Sequence, residues 1–343
     1  MKSFYSPAHL EHAPPEEFEG GRLNPAVEVP ARAERVRDEL VRRKLGPILT
    51  PAAFGMEPIA RVHDAGLVRF LGEASALWRT RYGEDAPPAI PSVWPARGLR
   101  SRPDGDVESR LGNYAFDTAT PIVRGTWRAA LAAVDTALSA AEAIRGGERA
   151  AFALARPPGH HAGADVFGGY CYLNNAAVAA QWFVDKGLKP AILDVDYHHG
   201  NGTQSIFYRR SDVLFCSLHG DPTFAYPHFL GFADETGEGA GEGANLNLPM
   251  PMYTDWRGYS AALATALKRI AAFAPDVLLV SLGLDTFEDD PISKFKLTRD
   301  DYLRLGATIA GAKLPTLFLF EGGYNLDALA AITVNVLEGF ESA

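Results

Sequence analysis

The feature that most constrains this 343-residue chain is a set of short β-rich runs, several of them apolar throughout, separated by stretches of helix length. The runs lie around Ala151–Ala155, Ala191–Val195, Val213–Leu218, Val277–Leu282 and Thr316–Phe320. A strand that is apolar on both faces belongs in a parallel sheet covered from both sides, whereas a half-exposed strand alternates. Helical patterns fall near Val123–Arg145, Leu173–Lys186, Thr254–Phe273, Arg299–Ala312 and Leu326–Phe340. This order implies right-handed crossovers and an α/β fold: a doubly wound, mostly parallel sheet with helices on both faces. Ligands of such sheets bind beyond the carboxyl ends of the strands, so the residues just after each apolar run carry the interest.

The chain is 47% apolar, enough for a large core in one domain spanning residues 1–343, and no second-domain signal interrupts it. The net charge of -9, from 33 basic and 42 acidic residues, argues against nucleic acid or an anionic membrane as the main partner and suits a cationic ligand. Cys171 and Cys216 sit in apolar sequence without the spacing of a disulfide framework or zinc ribbon, and both read as reduced and buried. Residues 1–12 contain no apolar leader, and no run reaches the roughly 18 apolar residues of a membrane span, so a cytoplasmic protein is expected.

Two segments break the alternation. Tyr82–Asn113 carries Pro87, Pro88, Pro91, Pro95 and Pro103 and reads as a long loop insertion. Gly237–Asn247 (GEGAGEGANLN) lacks the spacing of a phosphate loop, and Glu238 and Glu242 would repel phosphate, so it reads as a flexible connection into the next strand.

Four of the nine histidines come as two pairs, His160-His161 in RPPGHHAG and His198-His199 in DVDYHHGNG. Asp196 and His198, two residues apart at the end of an apolar strand, would aim at one point by strand alternation. Asp285, after VLLVSLGL, adds a second carboxylate. Two carboxylates and one imidazole leave an open coordination position, as in a catalytic metal site. A lone buried histidine is more often a satisfied core residue, and His199 reads that way.

The ordered motifs RPPGHHAG, GGYCYLNNAA, LDVDYHHGNGTQ, SLH after Cys216, LGLDTFEDDP and EGGYN span most of the chain. Together they resemble the arginase–deacetylase fold family, and within it the bacterial acetylpolyamine amidohydrolases, relatives of the class II histone deacetylases. The resemblance implies that Asp196, His198 and Asp285 bind zinc, or ferrous iron or cobalt, since mixed nitrogen and oxygen sites accept several divalent ions. It implies that His161 is the general base and then acid, that His160 is tuned by Asp194, and that Tyr324 stabilises the oxyanion. Asn201 stands where class I relatives place an aspartate; an amide orients His161 without adding charge. The same resemblance implies a structural potassium ion held by Asp194, Asp196, His198, Ser217 and Leu218, and a weaker monovalent site near Phe207, Arg210 and Val213.

It also implies a narrow tunnel lined by Gly169, Tyr170 and Tyr226, with Asp117 at its rim. Glu16, Glu17, Glu19 and Glu108 lie in segments assigned to that rim and are candidates to bind ammonium groups. The expected activity is metal-dependent removal of acetyl groups from a small cationic acylated amine, a polyamine or diamine. Deacetylation of acetyl-lysine in peptides, a non-catalytic binder of acylated amines, and arginase-like ureohydrolysis stay open beside it, the last weakened by a count of only three good ligands. A homodimer is expected, with Tyr82–Asn113 and Glu16–Arg22 packing at the tunnel mouth.

Overall fold

The computed structural model describes residues 1–343. Ten strands form: β1 (Lys2–Phe4), β2 (Glu16–Glu19), β3 (Arg22–Pro25), β4 (Ile48–Leu49), β5 (Ala150–Ala153), β6 (Pro190–Asp194), β7 (Leu214–Gly220), β8 (Asn245–Met250), β9 (Val277–Leu282) and β10 (Thr316–Phe320). Eight of them build one parallel sheet in the order β4-β1-β5-β10-β9-β6-β7-β8. The five apolar runs expected from sequence are five strands of this sheet. Their complete burial explains the missing polar alternation.

The helices are α1 (Ala31–Arg43), α2 (Glu57–Ala60), α3 (Ala65–Tyr82), α4 (Val107–Tyr114), α5 (Thr126–Arg145), α6 (Asn175–Asp185), α7 (Asn201–Phe207), α8 (Trp256–Phe273), α9 (Arg299–Ala310) and α10 (Leu329–Ser342). Alternate strand residues feed two cores. Ile192, Leu279, Leu317 and Leu319 pack with α3, α5 and α6, while Leu193, Leu278, Val280 and Phe318 pack with α1, α8, α9 and α10. Each fully buried Leu or Phe is worth about 1.5–3 kcal/mol, so both faces contribute to holding the sheet. Helix starts follow local chemistry. The Asn174 side chain accepts from Ala177 N–H (2.8 Å) at α6, and Thr298 and Asp301 form a capping box at α9.

Two expectations need correction. Residues 82–113 are not one loop, because Asp106 caps α4 by accepting from Ser109 N–H (3.0 Å) and the chain is helical from Val107. The stretch before it is anchored by an antiparallel bridge between Ala89 and Ile122. The second concerns the Asp196 and His198 step, which does not lie on a strand: β6 ends at Asp194. Carboxylates shape the bend that follows. Asp194 accepts from Asp196 N–H (3.1 Å), Asp196 from His198 N–H (2.9 Å), and Asp285 from Tyr197 N–H (2.8 Å). Side-chain acceptors here replace the ladder bonds that alternation would need.

Apart from the sheet, β2 and β3 form a hairpin whose Gly20-Gly21 turn has φ of 60° and 79° at both central positions, the conformation that a tight two-residue hairpin needs.

Candidate active site

Four loops at the carboxyl ends of β5, β6, β9 and β10 bring the polar residues together. Asp196, His198 and Asp285 each offer a ligand atom within 4.8 Å of the others, all in buried residues. His198 Nδ1 lies 2.9 Å from Asp285 Oδ2 and 3.3 Å from Asp196 Oδ1. Burial and the adjacent Asp196 carboxylate push Asp285 up to about 7. Burial opposes ionisation of Asp196 too, but the His160 and His198 rings hold it below the ordinary carboxylate range. Two crowded carboxylates and an imidazole are a donor set that a divalent cation would satisfy. The room is kept by Gly322, where a Cβ would stand 2.5 Å from Asp196 Oδ2 and 2.6 Å from Asp285 Oδ2.

The tandem histidines face different partners. His160 Nδ1 is 3.0 Å from Asp194 Oδ2; despite burial, the Asp194 and Asp196 carboxylates raise this ring to about 10, so it is an imidazolium. His161 Nδ1 is 2.6 Å from Asn201 Oδ1. Since an amide oxygen only accepts, Nδ1 carries the proton and Nε2 presents its lone pair. Burial, then the neighbouring His160 and His198 rings, hold His161 well below its ordinary value. The His160 and His161 ring centres are 4.0 Å apart.

Above these groups a cavity of about 260 Å³ runs to the surface, with His161, His198, Tyr324, Tyr170, Tyr226, Gly169 and Asp117 in its walls. Gly169 and Tyr170 both have positive φ (57° and 65°), and a Cβ on Gly169 would overlap the His161 ring. Only glycine lets that ring approach the backbone so closely. Asp117 ties both walls, accepting from Gly169 N–H (2.6 Å) and the Tyr226 hydroxyl (2.7 Å). Its other oxygen, Oδ1, is buried.

The acidic rim expected from sequence is only partly assembled. Glu19 borders the cavity. Glu17 is buried behind the wall, accepting from the Tyr170 hydroxyl (3.1 Å), and burial pushes it up to about 7. Glu16 is exposed away from the lining, and Glu108 is taken by the Tyr82 hydroxyl and Arg81. The residues expected around potassium are buried together, with Asp194 and Ser217 paired across β6 and β7. His199 is a core residue bonded to Gln204 (2.9 Å). Arg210 packs 5.0 Å from the Phe207 ring and pairs with Asp212.

Sequence reasoning placed Glu321 at the site within EGGY but gave it no role, and missed three other groups that shape the site. Glu321 accepts from Gly159 N–H (2.7 Å) and His160 N–H (3.2 Å), joining the histidine loop to the EGGY loop. Arg32 lies under Tyr324, and Ile292 and Lys294 border the mouth. The EGGY motif was a usable signal for Glu321; Arg32, in an ordinary amphipathic helix, gave none. His160, Cys171 and Glu321 also cluster, but burial keeps the thiol protonated and His160 is cationic, which suits no second metal.

The wider comparisons agree with this geometry. The profile of the histone deacetylase domain matches residues 26–340. Acetylpolyamine amidohydrolase 1 of Pseudomonas aeruginosa is 51% identical over 348 residues, covering 100% of this chain and 99% of its own. The acetylpolyamine amidohydrolase of Mycoplana ramosa is 48% identical over 342 residues, covering 99% of each. A crystal structure of the acetylpolyamine aminohydrolase of Burkholderia pseudomallei superimposes with a TM-score of 0.94 at 41% identity, covering 100% of this chain and 99% of that one. With a site of this kind at the strand ends and the profile spanning nearly its whole length, the chain belongs to the histone deacetylase family.

Proposed function

We propose that the protein is a zinc-dependent amidohydrolase that removes acetyl groups from acetylated polyamines or diamines. The observation that carries this reading is the meeting of Asp196, His198 and Asp285 with His161 and Tyr324 at the inner end of one aromatic-walled cavity. The names of the full-length relatives support the substrate. Ferrous iron or cobalt suits the same donors.

A divalent cation at this site supplies Lewis acidity toward an amide carbonyl and brings the acidity of water close to neutral pH. The chain's own groups do the rest. His161 Nε2, unprotonated at neutral pH, accepts the proton of the attacking water and returns it to the leaving amine nitrogen. Asn201 keeps the ring in that tautomer. His160, held as imidazolium by Asp194, offsets negative charge as the carbonyl becomes tetrahedral. The Tyr324 hydroxyl, kept protonated by burial, donates to the developing oxyanion, a contact stronger in the transition state than in the ground state. Tyr170 and Tyr226 flank the methylene chain and exclude water from it.

A potassium ion beneath this site, held by Asp194, Asp196, His198, Ser217 and Leu218, would offset the carboxylates; their joint burial supports it. A homodimer is part of the reading. Val93 and Leu99 in the proline-bearing segment, Leu23 in the hairpin and Phe229 are large apolar side chains left exposed, which a partner subunit would cover. A cytoplasmic setting is supported by two free, buried cysteines. No helix is long and apolar enough to cross a membrane.

The decisive experiment compares kcat/KM of the zinc-loaded protein on acetylspermidine, acetylputrescine, acetylcadaverine and an acetyl-lysine peptide. Amines should lead. A peptide hydrolysed faster than every acetylated amine would replace this substrate assignment with protein deacetylation.

A further inference from the structure

Glu19 and Lys294 border the same cavity mouth from different parts of the chain. Glu19 ends β2 beside the Gly20-Gly21 turn, and Lys294 lies in the loop after Asp285, between buried Ser293 and Phe295. Both backbones are held: the Glu19 carbonyl accepts from Asn24 Nδ2 (2.9 Å), and the Lys294 carbonyl accepts from Tyr253 N–H (2.8 Å). Their charged ends form no ion pair or hydrogen bond within the protein, unlike surface pairs such as Arg209–Glu238. An open anion and an open cation therefore stand at one entrance.

A polyamine tail matches only half of this arrangement, since its ammonium groups suit Glu19 but meet a like charge at Lys294. A tail that ends in one carbon bearing both an ammonium and a carboxylate matches all of it. We propose that Lys294 is a specificity-determining residue, and that with Glu19 it fits the site to N-acetylated diamino acids as well as simple acetylated amines. This inference rests on the amidohydrolase reading above and names a further substrate class for that site. The reaction is the same hydrolysis: water adds across the amide carbon–nitrogen bond, releasing acetate and the free side-chain amine.

N-acetylcadaverine and free Nε-acetyl-lysine test it, because they differ only by the carboxylate on the carbon that bears the free amine. The quantity read is the ratio of kcat/KM for acetyl-lysine to that for acetylcadaverine, at low ionic strength with zinc-loaded protein. Lys294→Met should lower this ratio roughly two- to fivefold, the scale of one exposed charge pair, and Lys294→Glu should lower it further. Glu19→Gln should weaken both substrates in parallel, since both carry the ammonium. High salt should shrink the Lys294 effect. A ratio that is the same in wild type, Lys294→Met and Lys294→Glu, while acetylcadaverine is still hydrolysed, overturns the role of Lys294 and leaves the amidohydrolase reading standing. Hydrolysis of neither substrate, nor of any acetylated polyamine, overturns both.

Discussion

The guanidinium of Arg32 lies 4.6 Å from the ring centre of Tyr324, and it donates to the carbonyl oxygens of Glu321 (2.5 Å) and Gly323 (2.6 Å). One buried side chain thus fixes both the ring and the backbone that carries it. Glu28 completes the arrangement, bonding Arg32 and Arg156 at 2.8 Å each. Arg32→Lys keeps the charge but loses the planar fork. It should lower kcat roughly 10- to 100-fold through misplacement of Tyr324, with KM little changed. Equal kcat in the two proteins would show that the loop holds itself.

Tyr324→Phe deletes only the hydroxyl. Loss of one oxyanion donor should reduce kcat by about 100-fold or more, with bound metal and thermal stability retained. Steady-state kinetics beside metal analysis decide this, and a kcat within a few-fold of wild type would remove Tyr324 from the chemistry.

Asp285→Ala takes away one of the three proposed ligands and the carboxylate that accepts from Tyr197 N–H. Purified protein should carry little metal and show no measurable turnover. Full metal occupancy by elemental analysis, with normal activity, would exclude Asp285 as a ligand.

Asn201→Asp places a carboxylate 2.6 Å from His161 Nδ1 in place of an amide oxygen. His161 is held below its ordinary value by burial and by His160 and His198, so it is an available base at neutral pH. A charged partner favours the imidazolium and raises that value. The acid limb of kcat/KM against pH should therefore move to higher pH in the variant. A limb that stays in place would mean that another group sets it.

Burial holds His63 at about 4, against 6.5 in an unfolded chain, and its Nε2 accepts from Asn174 N–H (2.9 Å). Between these values the unfolded chain binds the extra proton. The neutral ring's advantage is complete above pH 6.5, declines as pH falls toward about 4, and levels off below. The loss is of order 3 kcal/mol. Urea midpoints measured from pH 7 to pH 4 should fall more steeply in wild type than in His63→Gln, which cannot titrate; parallel slopes would refute it.

Much of the fold is written locally. Five apolar runs are five parallel strands because a strand buried on both faces leaves no room for polar alternation. The short strands β1 and β4 and helix α1 escaped notice: two or three residues give no period, and α1 is mostly charged outside its buried face. Asp196, His198, Asp285, His161 and Tyr324 were legible as chemistry because each follows a strand in a polar motif too costly to bury without purpose. Only tertiary structure decided which carboxylates reach the cavity. Glu17 and Glu19 share a face of β2, yet Glu17 is sealed under Tyr170 while Glu19, beside the turn, opens onto the mouth. Arg32 beneath Tyr324 and Lys294 at the same mouth as Glu19 were equally hidden. A pattern in sequence reports the surroundings of one segment, whereas these contacts join segments far apart in the chain through the order in which the strands pack.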